Sequence, residues 1–154
     1  MISFGIPNPE RKEILFGDFP LEKNESYSLK LDSEIIIDNK FRISFQQVEK
    51  KNVNFDVNKN VEFIDGDKSG QNLTVRFWQD GDSFRPLGMN QKRKLSDFFI
   101  DLKLSTRLKK ETPILCKQDK IIWIVGHRLD DQFKISDNTK KIYRIAMTGV
   151  KNNA

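Results

Sequence analysis

The sequence has one cysteine and one histidine in 154 residues, and it has no long apolar run. Cys116 on its own cannot form an intramolecular disulfide, and no charged-then-apolar signal segment opens the chain. The longest apolar run, "IIWIV" at 121–125, is far shorter than the about 20 residues of a membrane helix. These shortages argue against a disulfide-rich secreted fold and predict a reducing, cytoplasmic setting with no membrane partner.

Groups that perform catalysis are also scarce. His127 is the imidazole on which a Ser-His-Asp or Cys-His device would depend, and Asp130 and Asp131 follow it without a recognised ligand spacing. Cys116 in "PILCK" has an alternating strand context, which favours a buried, inert thiol. The stretch "DGDKSGQN" (65–72) precedes a strand-like segment instead of a helix, so it predicts a hairpin loop and not a nucleotide loop. We therefore assign this chain no catalytic residue, no metal site and no cofactor.

Charge is distributed unevenly along the chain. Hydrophobic residues make up 37% and charged residues 32%, which is typical of a soluble folded domain with a polar surface. Residues 1–72 carry ten Lys and Arg against thirteen Asp and Glu, 10 − 13 = −3, whereas residues 73–147 carry sixteen against nine, 16 − 9 = +7. An excess of that size predicts a polyanion as partner, with an ordinary solvated surface as the alternative.

Alternating apolar residues predict strands in most of the chain. Residues 1–33 show no lasting period and are interpreted as an irregular arm or linker, and 34–72 as a β-rich leading segment. Residues 73–147 form the basic domain, and 148–154 a tail. The predicted strands are "EIIID" and "FRISFQQVE" joined by the turn "NK", then "NVNF", "VEFID", "LTVRFW", "PILCK", "KIIWIVG" and "KKIYRIAM".

Two helices are predicted in the basic half. In "KLSDFFIDLK" the apolar residues Leu95, Phe98, Phe99 and Leu102 recur at i, i+3, i+4 and i+7, which places them on one buried face. A shorter helix begins after Ser105 as N-cap and ends before Pro113. The predicted fold class is therefore α+β, a mainly antiparallel β-sheet with one firm and one short helix packed on it.

The stretch "WQDGDSFRPLGMNQKRKLSDFFIDLK" (78–103) places two turns before the longer helix. Gly81 and Asp82 favour a turn after the preceding strand. Pro86 restricts φ, and Gly88 can adopt positive φ, which makes a second bend. We predict that Gly81, Asp82, Pro86 and Gly88 shape this loop.

A cluster of three cations, Lys92, Arg93 and Lys94, lies at the start of that helix. The positive end of the helix macrodipole makes this placement unfavourable by about 0.3 to 1 kcal/mol, which a bound anion would offset. We predict a phosphate-contacting surface built from Arg76, Arg85, Lys92, Arg93 and Lys94, joined by Lys103, Arg107 and Arg128. Trp78 and Phe84 could stack on bases, but core packing is the preferred interpretation.

Residues 73–147 contain a dense series of distinct short motifs. They are Val75-Arg76, Gly81-Asp82, Arg85-Pro86-Leu87-Gly88-Met89, Lys94-Leu95, Asp97-Phe98-Phe99-Ile100-Asp101, Pro113, Trp123, Gly126, Arg128, Asp130, Phe133 and Lys134. In order and spacing this set resembles the C-terminal domain of bacterial tRNA(Ile)-lysidine synthetase. The segment "VEFIDGD" (61–67) also resembles the part that leads into this domain in the family.

The resemblance implies an α+β fold similar to a domain of phenylalanyl-tRNA synthetase, and a tRNA-binding role directed chiefly at the acceptor stem. The family's enzyme uses ATP to adenylate the wobble cytidine of an isoleucine tRNA with a CAU anticodon, and lysine then attacks. Its catalytic domain has a Ser-Gly-Gly-x-Asp-Ser loop that is absent from these 154 residues. The chain is therefore expected to be a fragment, a separated domain or a truncated homologue, with ATP bound by the missing catalytic domain.

The resemblance also assigns roles to individual residues. Arg76, Arg85, Lys94 and Arg128 are assigned to tRNA contact or its support. Lys92 and Arg93 join them by charge and location. The main alternative is a protein-interaction or assembly module, whose basic loop faces an acidic partner, a catalytic domain or a second copy. A third hypothesis, an autonomous enzyme that uses His127 with Asp130 or Asp131, has no supporting motif.

Overall fold

The computed structural model describes residues 25–55 and 58–150. Within those ranges the strands are β1 (Tyr27–Lys30), β2 (Ser33–Ile37), β3 (Phe41–Val48), β4 (Val61–Asp65), β5 (Asn72–Phe77), β6 (Ser83–Phe84), β7 (Arg93–Lys94), β8 (Pro113–Lys117), β9 (Lys120–Ile124), β10 (Arg128–Leu129) and β11 (Ile142–Gly149). The helices are α1 (Gly66–Ser69), α2 (Leu95–Asp101) and α3 (Thr106–Glu111), with 3-10 turns at Lys50–Asn52 and Asp131–Phe133.

Two antiparallel sheets contain most of these strands. One has five strands in the order β1-β5-β8-β9-β10, and the other has four in the order β2-β3-β11-β4. Strands β6 and β7 form a separate short ribbon. The predicted α+β class with mainly antiparallel pairing is confirmed. The strands divide between two sheets, however, whereas the sequence pattern predicted one.

The main core lies between the two sheets. Leu115 and Trp123 of the five-stranded sheet belong to one buried cluster with Phe45 and Tyr143 of the four-stranded sheet. The rings of Phe45 and Tyr143 meet edge to face, with centroids 5.2 Å apart. Burial of these large side chains supplies the main driving force for joining the sheets.

Helix α2 covers the other face of the five-stranded sheet. Its buried residues Leu95, Phe98 and Phe99 pack in a second cluster with Ile114 and Ile124 of the strands beneath. The five-stranded sheet is thus apolar on both faces, which explains why "PILC" and "IIWI" are continuous apolar runs without polar alternation. The layers are, in order, the four-stranded sheet, the five-stranded sheet and α2.

Both predicted helices are present near their predicted bounds. The Ser105 hydroxyl accepts a hydrogen bond from the Leu108 N–H at 3.2 Å and so caps α3, as predicted. The prediction for Leu102 is wrong, because its side chain remains 36% exposed. Helix α2 ends at Asp101, and Lys103 adopts a left-handed φ of 58°, so the periodic face stops one turn early.

Part of the predicted irregular arm is a strand. Tyr27–Lys30 pairs with β5 across from Asn72–Val75, and Leu29 is fully buried. A four-residue strand has only two inward positions, which is too few to show a period in the sequence. The rest of the arm up to residue 24 lies outside the described residues, as do 151–154 of the tail.

The segment "NVNF" is not a strand. A 3-10 turn at Lys50–Asn52 ends β3, and the chain continues without regular structure to Phe55, which is 76% exposed. The Phe55 ring meets Phe63 of the edge strand β4 edge to face, with centroids 6.4 Å apart, but residues 53–55 form no strand pairing with it. The turn between β2 and β3 also lies one residue earlier than predicted, since Asp38 and Asn39 take the positive φ values of 54° and 55° that a type I′ turn requires.

The stretch 65–72 is a connection between sheets and not the predicted hairpin loop. Strand β4 belongs to the four-stranded sheet and β5 to the five-stranded sheet. The Asp65 carboxylate accepts hydrogen bonds from the Asp67 and Lys68 N–H groups, at 2.9 and 3.3 Å, and so starts the single turn of α1. The main core contains residues from both sides of this connection. The boundary at 72/73 therefore marks a change in sequence character and does not separate two cores.

Candidate nucleic-acid interface

Asp82 organises the first turn of the loop. Its two carboxylate oxygens accept hydrogen bonds from both terminal nitrogens of Arg76, at 2.9 and 3.0 Å, and the Gln79 N–H donates to it at 2.8 Å. Gly81 lies between Gln79 and Asp82 in the chain and has a φ of 91°, a conformation that favours glycine. The Asp82 carbonyl accepts from the N–H of Leu95 at 2.8 Å, so the same turn also positions the start of α2.

The second bend is fastened to the connection that follows β9. Asp130, with 5% of its surface exposed, accepts a hydrogen bond from the Arg85 N–H at 2.9 Å. Asp131 accepts from the Gly88 N–H at 3.0 Å, where Gly88 has a φ of 86°. That hydrogen bond, together with Lys134, lowers the pKa of Asp131. Both carboxylates therefore shape the bend around Pro86, and neither is hydrogen-bonded to His127 in the part of the chain that the structure describes.

A narrow cleft of about 190 Å³ lies against this loop. Its lining includes three cations, Arg85, Lys92 and Lys120, and three carboxylates, Asp82, Asp119 and Asp130. The Arg85 Nε is buried, and no side chain or carbonyl among the described residues accepts a hydrogen bond from it. The structure thus brings together Arg85 and Lys92, two of the predicted contact residues.

A wider groove of about 670 Å³ adjoins the cleft, and Arg85 and Lys120 line both. We call it the basic groove. It is lined by Asp67, Lys68, Arg85, Lys117, Lys120, Asp131, Gln132, Phe133 and Lys134. Five cations face two carboxylates in this lining. A concave surface with this excess of positive charge focuses its potential on an anion.

The other predicted contact residues lie outside both cavities. Arg76 is committed to Asp82, and both side chains are mostly buried. Arg93 forms an ion pair with Asp101 of α2. Lys94 is exposed in β7, and Arg128 donates to the Leu87 carbonyl at 2.7 Å. For the predicted site residues, tRNA contact itself stays a prediction.

Four cations of the basic groove were missed in the sequence. They are Lys68, Lys117, Lys120 and Lys134. One signal was available, since Lys117 and Lys120 flank the two residues between the predicted strands "PILCK" and "KIIWIVG". Lys134 was one of the matched motif residues, but neither it nor Lys68 indicated a cation cluster, because both reach the groove only through the packing of distant segments.

The predicted core aromatic residues and the cysteine are confirmed in their structural roles. The Phe84 ring meets Phe98 edge to face with centroids 5.0 Å apart, and Trp78 meets Phe99 in the same way at 6.3 Å. Cys116 is buried, and burial raises its pKa to about 11, so a reactive thiolate is disfavoured at neutral pH.

The remaining features of the described residues are the histidine, the groups that could bind a metal ion and the length of the helices. Burial and the nearby Lys59 lower the pKa of His127. Within 25–55 and 58–150, no group of three or more ligand-type side chains could hold a metal ion. In the same ranges, no helix has the length and apolar character needed to cross a membrane.

Comparison with known proteins identifies the class of domain. Residues 73–146 match the family model of the TilS substrate C-terminal domain. The crystal structure of a TilS C-terminal domain superposes with a TM-score of 0.71 at 17% identity, covering 83% of this chain and 100% of that one. The superposition covers 83% of the chain, which is more than the residues 73–146 that the family model matches.

Curated relatives give the particular family. The chain is 33% identical over 150 residues to tRNA(Ile)-lysidine synthase of Clostridium acetobutylicum. The aligned region covers 91% of this chain and 32% of that protein. The chain is 39% identical over 132 residues to tRNA(Ile)-lysidine synthase of Parabacteroides distasonis, covering 84% and 30%. The chain belongs to the family of the tRNA(Ile)-lysidine synthase C-terminal domain. It spans about a third of the length of these relatives.

Proposed function

We propose that this chain binds tRNA and orients isoleucine tRNA, with its CAU anticodon, for the addition of lysine to the wobble cytidine. The observation that carries the proposal is the convergence of cations from four separate segments on the basic groove and the adjoining cleft. Contacts to phosphate fix the register and orientation of a nucleic acid without reading its sequence. Such a surface suits a domain that positions tRNA for chemistry performed elsewhere.

The predicted residues then divide into contact and support. Arg85 and Lys92 line the narrow cleft and contact phosphate directly. Lys94 and Arg128 lie outside its lining, and as exposed cations they add to the positive surface around the loop. Arg76 supports the loop through Asp82 and does not reach the ligand. Gly81, Pro86 and Gly88 hold the loop in shape.

Catalysis is assigned in this proposal to the part of the relatives that the chain does not span. ATP and lysine would be bound there, and this chain would hold the tRNA. The free, buried thiol of Cys116 is consistent with the reducing cytoplasm in which the proposal places the chain.

Binding of a CAU-anticodon isoleucine tRNA transcript at several salt concentrations tests the proposal. We expect the logarithm of the affinity to fall linearly with the logarithm of salt, because phosphate contacts release counterions. Replacing Lys92, Arg93 and Lys94 together with Ala should weaken binding and reduce the magnitude of the salt slope by about 1 for each phosphate that the variant no longer neutralises. Filter binding measures both quantities.

The matched control replaces three exposed lysines of the acidic half, Lys30, Lys50 and Lys51, with Ala. This variant loses the same formal charge and should lose less affinity. No measurable tRNA binding by the parent chain at low salt, together with a stable dimer in light scattering, would favour the assembly module. Equal affinity of the Lys92, Arg93 and Lys94 variant and the parent would remove that cluster from the interface.

A further inference from the structure

We propose that Lys117 and Lys120, at the end of the β8–β9 hairpin, form with Lys68 a clamp for one backbone phosphate of the bound tRNA. The inference rests on the proposed function and names the part of the surface that carries it. All three lysines line the basic groove, and none of them is among the residues predicted from the sequence.

The first argument is a like-charge pair placed directly across a hairpin. Lys117 and Lys120 are cross-strand partners, joined by the turn residues Gln118 and Asp119. Directly opposed side chains in an antiparallel pair have Cβ atoms about 4.5 to 5.5 Å apart, and like charges there are destabilising. An anion held between the two ammonium groups converts this repulsion into attraction.

The second argument is that the residues next to the pair are packed in a core. Cys116 is fully buried and Ile121 is 4% exposed, and these residues are adjacent to the two lysines in β8 and β9. Both belong to the cluster beneath α2. The lysines therefore extend from a fixed platform, which lowers the entropy lost when a ligand binds.

Lys68 completes the clamp from a different segment. The Lys117 Nζ donates a hydrogen bond to the Lys68 carbonyl at 2.6 Å, which holds the hairpin against α1. Both side chains line the same groove. In the described part of the chain, no carboxylate forms an ion pair with Lys68, Lys117 or Lys120.

The carboxylates of the groove are already engaged. Asp67 accepts hydrogen bonds from the backbone N–H groups of Lys140 and Lys141, at 2.7 and 3.3 Å. Asp131 accepts from Gly88 and from the Lys134 ammonium. They hold neighbouring segments in place, and with both carboxylates counted the lining of five cations keeps an excess of positive charge for a ligand.

The lining favours a phosphate backbone over an acidic protein partner. Protein interfaces depend on apolar and aromatic anchors near their centre. In this groove the one aromatic residue in the lining, Phe133, is 4% exposed and belongs to the core, while the other eight residues are charged or polar. Contacts from lysine suit phosphate oxygens, which accept from several directions.

The test compares three double variants of the full chain with the parent. K117Q/K120Q removes the pair, K117R/K120R keeps its charge, and K109Q/K110Q removes two lysines of α3, which precedes the opposite end of β8. We expect K117Q/K120Q to bind tRNA more weakly, with a salt slope smaller in magnitude by about 1 to 2. K117R/K120R and K109Q/K110Q should keep the parental slope.

Thermal unfolding checks that the effect is not a loss of fold. K117Q/K120Q removes both the like-charge repulsion and the hydrogen bond from Lys117 to the Lys68 carbonyl. These effects have opposite sign, so its unfolding midpoint should stay close to that of the parent while its affinity falls. Three results would overturn the clamp: a parental affinity and slope for K117Q/K120Q, an equal loss in K117R/K120R, or competition by poly-glutamate as strong as by RNA of the same charge. A parent that binds no tRNA would contradict the proposed function itself, which separates the two failures.

Discussion

Among single residues, Asp82 has the largest structural role in the loop that was predicted from glycine, proline and charge. Its carboxylate neutralises Arg76, and side-chain exposures of 14% for Arg76 and 12% for Asp82 leave the pair little solvent. A sequence shows that a Gly-Asp turn is present, but it does not show which cation the aspartate meets. Arg76 therefore looked like a contact residue, and the structure shows that its guanidinium is bound within the loop.

Asp82→Asn should reduce the free energy of unfolding by about 2 to 3 kcal/mol, because Arg76 keeps its charge in a mostly buried site without a counter-charge. Urea unfolding measures the change. Glu34→Gln is the matched control, since the Arg42–Glu34 pair is about half exposed and should contribute less than about 1 kcal/mol. Equal effects of the two substitutions would contradict the structural role of Asp82.

Among the elements, local periodicity predicted α2 and most of the longer strands, and the N-cap Ser105 together with Pro113 predicted α3. Periodicity failed for elements of only a few residues and for segments whose structure depends on distant parts of the chain. Strand β1 has four residues, and α1 has a single turn started by Asp65. "NVNF" has strand-like alternation, but its first residue belongs to a 3-10 turn and residues 53–55 have no regular structure. Propensity is a weak prior that tertiary pairing overrides.

Helix α2 offers a test of how far its predicted apolar face extends. Phe99→Ala should destabilise the chain by about 3 to 5 kcal/mol, because Phe99 is fully buried beneath the helix. Leu102→Ala should cost less than about 1 kcal/mol, since Leu102 lies beyond the last turn with 36% of its surface exposed. Chemical unfolding of both variants checks the contrast. A large loss of stability for Leu102→Ala would restore the longer face predicted from the sequence.

At the scale of the whole molecule, one core spans the two halves that differ in charge. Strand β11, in the basic half, pairs along its length with β3 and also with β4 of the acidic half. Strand β5 pairs with β1 in the same way. The change in net charge near residue 72 therefore concerns surface side chains, and the buried apolar core is continuous across it.

A chain of residues 73–150 alone should not unfold cooperatively. It would lack both partners of β11 and expose the face of the five-stranded sheet that includes Leu115 and Trp123. Near-UV circular dichroism during heating distinguishes a fixed core from a loose one, and the 154-residue chain serves as the control. A sharp transition in the shorter chain would show that the matched domain is a folding unit by itself.

Residues close together in the chain specify the face of α2, the cap of α3 and the strands and helices of the α+β class, so these features could be predicted from the sequence. The family resemblance rests on motifs matched in order along residues 73–147. The folded molecule was needed to show which sheet each strand joins, that Arg76 is bound to Asp82, and that lysines from α1 and the β8–β9 hairpin share a groove. Strand partners and cation clusters are set by contacts between residues far apart in the chain. Those contacts form when the two sheets bury their apolar faces together.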